Sequence, residues 1–180
     1  MGALLILLWA IEIVDVLTGH ALDGFGIVPR HLGSLAHIAT APLLHFGWAH
    51  LIANSLPFFV LGVLVYLDGA ARWVITTLTV IISSGLLVWL ISPPNSITAG
   101  ASGVVFGWLS YVLVRGLFTR RIGQILLAAA ILAIYGGVLW GLLPMVAGVS
   151  WQGHLGGAIG GVLAAWLLNG RAPSSGVRTS

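Results

Sequence analysis

Long apolar segments separated by short polar breaks dominate this chain. They run from about residues 3 to 18, 48 to 67, 73 to 92, 100 to 116, 122 to 143 and 151 to 169. Each is close to the roughly 20 apolar residues that a helix needs to cross a bilayer. Gly, Pro, Asn or charged residues fill the breaks. The pattern therefore predicts an all-α membrane protein with a bundle of six transmembrane helices.

Two stretches lie outside these segments. The first connection, residues 19–47, is rich in Gly and His and moderately apolar, so we expect it to pack in the outer interface of the membrane. The tail, residues 171–180, is rich in Ser, Gly and Pro and has little to bury, so we expect disorder. Residues 1–170 are thus predicted to form a single membrane domain.

Composition supports this class of protein. Hydrophobic residues make up 59% of the 180 residues and charged residues only 6%, against about 25% charged residues in soluble domains. The absence of cysteine removes disulfides, thiolate metal sites and a cysteine nucleophile. The basic residues are all arginine and are spread along the chain, so we expect the lipid bilayer, and no nucleic acid, as a partner.

The arginines also indicate topology. With a cytoplasmic N-terminus, six spans leave only Arg30 outside and put the C-terminus inside, as the positive-inside rule favours. We therefore expect a multi-pass protein of a bacterial cytoplasmic membrane whose site opens to the extracytoplasmic side. Arg115, Arg120 and Arg121 are expected to contact lipid headgroups. The arginines placed inside are Arg72, Arg115, Arg120, Arg121, Arg171 and Arg178.

Polar residues mark the starts of the second, fourth and sixth predicted helices, which all run inward from the outer side. These residues are His50 with Asn54, then Ser102, then His154. A polar side chain in hydrocarbon costs free energy unless it is partnered, so their convergence indicates a functional site. The helical rise places Ser102 about 10 Å below the outer surface, which requires a cavity that admits water.

Ser102 and His154 have the chemistry of a nucleophile and its base, since imidazole is well matched to removing a hydroxyl proton near neutral pH. The alternatives are a serine bonded between helices and a histidine that packs or relays protons. Small residues let two helices approach closely in a bilayer, and this favours the catalytic interpretation. The facing glycines are Gly103 and Gly107 on the fourth predicted helix and Gly157 and Gly161 on the sixth.

Attack on a carbonyl creates an oxyanion, which needs hydrogen-bond donors. His50 and Asn54 lie at i and i+4 on one helical face, and the Ser102 backbone N–H lies at a helix start without an intrahelical partner. The alternative for His50 and Asn54 is hydrogen bonding to the first connection. No carboxylate is expected to complete a triad. Asp68 is placed at the cytoplasmic end and Asp23 in the first connection, and the other two, Glu12 and Asp15, lie on the first helix. A Ser–His dyad is therefore predicted.

The remaining polar residues receive structural interpretations. Glu12 and Asp15 share a face of the first helix, and we expect them to anchor the first connection through hydrogen bonds or through Arg30. That helix also lacks the basic start of a signal peptide, so we expect it to be retained. His45 is expected to pin the first connection by a hydrogen bond. Scattered histidines without cysteine make a weak zinc site, and neither metal nor cofactor is predicted.

Together these residues resemble the rhomboid family of intramembrane serine proteases, over essentially the whole six-helix core. Three ordered motifs on three successive inward-running spans carry the resemblance. The matching residues are Gly100, Ala101, Ser102 and Gly103 for the GxSG motif, His50 and Asn54 for the histidine and asparagine pair, and Gly153, His154, Gly157 and Gly161 for the GHxxGxxxG motif.

The resemblance implies that Ser102 is the nucleophile, that His154 is general base and then acid, and that His50 and Asn54 donate to the oxyanion beside the Ser102 amide. It also implies a water-filled cavity, a first connection in the outer leaflet, and a mobile fifth helix and cap. Many family members carry tyrosine where this chain has Phe106, which can stack on the imidazole but cannot donate a hydrogen bond. Without a cytosolic domain or seventh helix, we expect a minimal form.

The predicted function is a cofactor-free serine endopeptidase that cleaves single-span membrane proteins near the outer leaflet. One alternative is a catalytically silent rhomboid-like protein that binds unstable membrane helices, although such relatives usually lack the dyad. The other is a small transporter, which requires polar groups through the full membrane thickness. The inner halves of the predicted helices are almost wholly apolar. The substrate and the oligomeric state stay open.

Overall fold

The computed structural model describes residues 1–145 and 148–170, and these residues are mostly helical. The predicted disordered tail, residues 171–180, lies outside the described residues. A single isolated antiparallel bridge, between Ile27 and Thr98, is found in the described part. The α-helices of the described residues are α1 (Gly2–Leu17), α2 (His37–Thr40), α3 (Trp48–Tyr66), α4 (Ala70–Ile91), α5 (Ser102–Thr119), α6 (Ile122–Tyr135) and α7 (Trp151–Asn169).

The long helices follow the predicted apolar segments closely, but the fifth segment divides in two. Helix α6 ends at Tyr135, and a 3₁₀ helix continues over Gly136–Leu142. Two successive glycines, Gly136 and Gly137, stand at this change, and glycine is a poor former of α-helix interiors. We refer to Gly136–Leu142 as the 136–142 segment.

Four helical stretches of the described residues are long and apolar enough to cross a membrane. Helix α1, with 16 residues, is shorter than these, and α7 carries Gln152, His154 and several glycines that lower its hydropathy. The membrane class of the protein is thus supported, whereas the count of six spans stays a prediction. The four stretches are Trp48–Tyr66, Ala70–Ile91, Ser102–Thr119 and Ile122–Leu142.

Helix α5 forms the centre of the bundle. In its most apolar window 61% of the residues are buried inside the protein, against 11% for the stretch Ile122–Leu142. It contacts α3, α4, α6 and α7. The fully buried Trp108 and Tyr111 lie on it, and the Trp108 ring packs at a tilt of 46° against Phe58 of α3, with centroids 4.9 Å apart. The residue that begins this helix, Ser102, is therefore held by the most constrained element of the fold.

Glycines on α7 permit close approach to two neighbouring helices. A Cβ atom at Gly157 would lie 2.0 Å from the carbonyl oxygen of Gly103, and one at Gly161 would lie 2.0 Å from that of Gly107. This confirms the predicted facing of the two glycine pairs. A second stripe, which the sequence analysis did not identify, faces α4: a Cβ at Gly156 would lie 2.8 Å from the Ser83 carbonyl oxygen.

The first connection folds back onto the chain that leads into α5. Ile27 and Thr98 exchange two backbone hydrogen bonds, of 2.8 and 3.0 Å. Trp89 donates from its indole nitrogen to the His31 carbonyl over 3.0 Å. These bonds join the backbone of the connection to α4 and to the chain that leads into α5.

Of the two predicted anchors on α1, Asp15 holds the first connection directly. Its Oδ1 accepts from the backbone N–H of Leu22 over 2.8 Å, and its Oδ2 lies 2.9 Å from His20 Nδ1. Arg30 does not take part, since it donates to the Leu90 carbonyl instead. The Glu12 carboxylate is buried and has no hydrogen-bond partner among the described residues.

Charged residues lie together at the other end of α5. Arg115 is 4% exposed and donates to the Asp68 carboxylate, which also accepts from the Tyr111 hydroxyl over 3.1 Å. The expected contact of Arg115 with lipid headgroups is therefore wrong, because a carboxylate on the neighbouring α3 end holds it inside the bundle. A buried arginine without such a partner would be costly.

Candidate active site

The candidate site is built where the first connection meets the start of α5. Gly100 has φ +127°, and a Cβ there would lie 2.6 Å from Cε1 of His50, so both backbone and space demand glycine. Its N–H donates to the Ala41 carbonyl over 2.9 Å. The turn before Ser102 is therefore fixed by residues about sixty positions earlier in the chain.

The structure brings Ser102 and His154 together. Nε2 of His154 lies 2.9 Å from the Ser102 Oγ, within hydrogen-bond distance. The close packing of α5 against α7 over the glycine pairs makes this possible. Helix α7 is capped at its start by Ser150, whose side chain accepts from the Gly153 N–H over 3.2 Å. His154 thus stands one turn inside a well-formed helix.

The imidazole of His154 is held on two further sides. Phe106, one turn along α5 from Ser102, stacks on it with ring centroids 4.1 Å apart and planes 11° apart. The expected stacking of Phe106 is confirmed. Nδ1 of His154 lies 2.8 Å from the carbonyl oxygen of Gly141 in the 136–142 segment. The residue His154 is 7% exposed, so contacts with the protein set the orientation of its ring.

His50 and Asn54 line the same cavity as Ser102 and His154. The cavity has a volume of about 870 Å³ and is bounded by α3, by the chain before α5, by the 136–142 segment and by the start of α7. Nδ2 of Asn54 donates to the His50 carbonyl over 2.9 Å, which leaves its second hydrogen free. The four residues predicted from the sequence to form the site therefore line one cavity.

His45 pins the first connection to the turn before the serine, as expected. The backbone N–H of Ala101 donates to His45 Nε2 over 3.4 Å, and the ring lies edge-on to His50 at 5.0 Å. Burial lowers the pKa of His45 to about 3, and the neighbouring His50 adds to this. The ring therefore stays neutral near pH 7, as an acceptor from Ala101 requires.

Four hydrogen-bonding groups of this region were not predicted from the sequence: three serine hydroxyls and the carbonyl of Gly141. Ser83 and Ser84 of α4 donate to the carbonyls of Gly156 and Gly153 over 2.7 and 2.8 Å, and Ser110 of α5 donates to that of Ala158 over 2.8 Å. Paired serines within an apolar segment were a usable signal for such bonds. The Gly141 carbonyl had no signal, because every residue carries one.

One group in the described part of the chain has ligand atoms close enough for a cation. Asp15, His20 and Asp23 place one such atom each within 4.8 Å of one another. Burial raises the pKa of Asp23, and the negative charge of Asp15 adds to this effect. His20 and Asp15 are held together by their hydrogen bond. The three residues of this group do not line the cavity that contains Ser102.

The chain is similar in sequence to known proteins. A family model described as the Rhomboid domain matches residues 32–171. An uncharacterised protein of Mycobacterium tuberculosis is 45% identical over 171 residues, which cover 91% of this chain and 71% of that protein. An uncharacterised protein of Mycobacterium leprae is 46% identical over 91% of this chain and 68% of its own length.

A relative with an assigned activity is more distant. The rhomboid protease GluP of Bacillus subtilis is 32% identical over 142 residues, which cover 76% of this chain but 26% of GluP. The family model spans most of the chain and includes the residues of all three motifs. From this match and the mycobacterial relatives it follows that the chain belongs to the rhomboid family.

Proposed function

We propose that the protein is a serine endopeptidase that hydrolyses peptide bonds of single-span membrane proteins within the bilayer. The observation that carries this proposal is the 2.9 Å contact between Ser102 Oγ and His154 Nε2 inside the large cavity. A serine activated by an imidazole is the simplest arrangement for acyl transfer, and no cofactor is required.

The reaction follows from the positions of the residues. His154 Nε2 takes the hydroxyl proton as Ser102 attacks the substrate carbonyl, and it then returns the proton to the leaving amine. Water enters the cavity and hydrolyses the acyl-enzyme by the same proton transfers. The Ser102 N–H, at the first turn of α5, and the side chains of His50 and Asn54 supply donors for the oxyanion.

The substrate must present an extended backbone. In a helix each carbonyl is bonded to an N–H four residues on, and the side chains shield it from attack. A membrane span therefore has to unwind locally, and small or helix-breaking residues favour this near the cleaved bond. The cavity volume of about 870 Å³ has room for a few residues of extended chain.

A catalytically silent rhomboid is the main competing function, because rhomboid-like proteins without activity retain the fold. The presence of both Ser102 and His154, in contact, supports an enzyme. The transporter alternative finds no support in the inner half of α5, where the buried polar groups Tyr111 and Arg115 are both bonded to Asp68.

The proposal is tested with purified protein and a reporter substrate that contains a single transmembrane helix, both reconstituted in liposomes. We expect the wild type to cleave the reporter and Ser102→Ala to lose cleavage by a factor of at least about 10³, the order that removal of a nucleophile produces. Ser110→Ala, which alters another partly buried serine of α5 that does not line the cavity, serves as the matched control. Equal cleavage by wild type and Ser102→Ala would refute the assignment.

Labelling of Ser102 by a fluorophosphonate provides a second measurement. It reports activation of the serine without any knowledge of the substrate. We expect labelling in the wild type and none in His154→Ala, since the hydroxyl then has no base. If neither protein is labelled, the silent-binder function replaces the one proposed.

A further inference from the structure

We propose that the backbone carbonyl of Gly141 is a positioning group for His154, so that the dyad is competent only while the 136–142 segment is seated against the ring. The inference rests on the proposed function in one respect, that His154 acts as the base for Ser102. It adds a third member to the dyad, which comes from the backbone and not from a carboxylate.

The two ring nitrogens of His154 have different partners. Nε2 of His154 faces Ser102 Oγ at 2.9 Å, and Nδ1 faces the Gly141 carbonyl oxygen at 2.8 Å. Among the described residues this carbonyl is the hydrogen-bond partner of Nδ1, and no carboxylate contacts it. The stack with Phe106 fixes the ring plane, but a stacked ring can still turn within that plane. The Gly141 contact prevents this.

The direction of the hydrogen bond to Gly141 selects one tautomer of His154. A carbonyl oxygen can only accept, so the neutral imidazole must carry its proton on Nδ1. Nε2 then has a free lone pair, which is the form that can take the proton of Ser102. Without the carbonyl, the proton is free to move to Nε2, and an Nε2–H group cannot act as the base. In Ser–His–Asp sites an aspartate enforces the same tautomer.

Gly141 lies outside the buried core of the bundle. It belongs to the 136–142 segment, none of whose residues is buried and whose 3₁₀ hydrogen bonds are weaker than those of an α-helix. This segment continues α6 and lines the cavity together with Ser102. A displacement of about 1 Å is enough to break a hydrogen bond. Movement of the segment therefore changes both access to the cavity and the state of the base.

Space at Gly141 supports the same conclusion. A Cβ there would lie 3.0 Å from His154 Nδ1 and 3.1 Å from Phe106 Cζ, so a side chain must push the ring pair or the segment away. The segment offers a matched control in Gly136, where a Cβ would meet Leu132 at an ordinary 3.6 Å. Its φ of −57° and ψ of −29° also suit any residue.

The variants Gly141→Ala and Gly141→Val form a graded series, and Gly136→Ala and Gly136→Val are their controls. We expect kcat for the reporter and the rate of fluorophosphonate labelling to fall together in the series, by about 10²-fold for Gly141→Val, the usual contribution of a positioned base. Because Gly141 also lines the cavity, a change in KM reports on access, whereas the fall in kcat reports on the state of the base. The controls should match the wild type. Wild-type labelling rates in both Gly141 variants, with the folded state verified by thermal unfolding, would overturn the inference.

Nitrogen-15 spectra of histidine-labelled protein test the tautomer without relying on cleavage or on a variant's stability. The His154 signals are identified by their loss in His154→Ala. We expect protonated Nδ1 and unprotonated Nε2 in the wild type, and a gain of protonated Nε2 in Gly141→Val. A wild-type spectrum with the proton on Nε2 overturns the inference. A protein with the expected tautomer that neither cleaves nor labels would refute the proposed function and leave the Gly141 contact standing.

Discussion

His45 connects the first connection to the turn that carries the serine, and it does so only as a neutral ring. Its Nε2 accepts from the Ala101 N–H, and a protonated ring has no lone pair to offer. Burial, with His50 beside it, lowers its pKa to about 3 in the folded protein, whereas an unfolded chain has a pKa of about 6.5. Folding therefore disfavours proton binding at this position.

The expected result is a loss of stability as pH falls. Between about pH 6.5 and 3 the unfolded chain binds a proton at His45 that the folded chain does not, so stability is fully present above this range and declines within it. In His45→Gln, whose amide oxygen can still accept from Ala101, the decline should be smaller. Unfolding in detergent at pH 7 and pH 4.5 measures this difference. Exposed His31→Gln should behave like the wild type, and an equal decline in His45→Gln would contradict the argument.

The polar side chains of the candidate site were predictable from the sequence. Ser102, His154, His50 and Asn54 stand out because hydrocarbon tolerates few polar groups, and the structure places all of them around one cavity. Their catalytic roles stay proposals. The Gly141 carbonyl could not be foreseen, because its use depends on the path of the backbone. The burial of Arg115 was missed because the sequence does not show that Asp68 stands beside it.

At the scale of elements, the contact of α5 with α7 depends on glycines that no other residue can replace. A Cβ at Gly157 or Gly161 would stand 2.0 Å from a carbonyl oxygen of α5, closer than any real contact. Separation of the helices also moves His154 away from Ser102. Stability and the proposed catalysis therefore depend on the same two glycines.

We expect Gly157→Ala to lower stability by at least about 1–3 kcal/mol, the usual cost of overpacking, and to reduce fluorophosphonate labelling of Ser102. Gly123→Ala on α6 is the control, because a Cβ there meets nothing within 4 Å. Thermal unfolding and labelling rates are measured on all three proteins. If Gly157→Ala kept the thermal stability and the labelling rate of the wild type, the close approach of α5 and α7 would not be needed for either property.

Helix positions were predictable because apolar length alone determines where a chain can cross a bilayer. The predicted ends differ from the observed ends of the long helices by only a few residues. The exception is the change to 3₁₀ geometry at Gly136. Glycine permits this change without requiring it, and the 136–142 segment packs against α7. Hydropathy carries no information on that packing.

At the scale of the whole molecule, the orientation in the membrane is still a prediction. Six spans with a cytoplasmic N-terminus put the α4–α5 connection outside and the α3–α4 turn inside. Because the sequence contains no cysteine, single cysteines can report on each side without background. Each of these two segments has an exposed position, Pro94 in the α4–α5 connection and Leu67 in the α3–α4 turn.

In intact bacteria, a membrane-impermeant maleimide should label Pro94→Cys and spare Leu67→Cys. Lysed cells should show labelling of both, which controls for access to each thiol. The reverse pattern would place the candidate site on the cytoplasmic side. Labelling of both in intact cells would contradict any single orientation of the two turns.

The order of the site residues along the chain has a consequence for biosynthesis. Ser102 begins α5, whereas His154 lies on α7, some fifty residues later. A ribosome that has inserted the chain through α6 has delivered the serine without its base. On the proposed mechanism, a nascent or truncated protein in the membrane is thus unable to cleave its neighbours. Hydrolysis begins only after α7 has inserted and docked against α5.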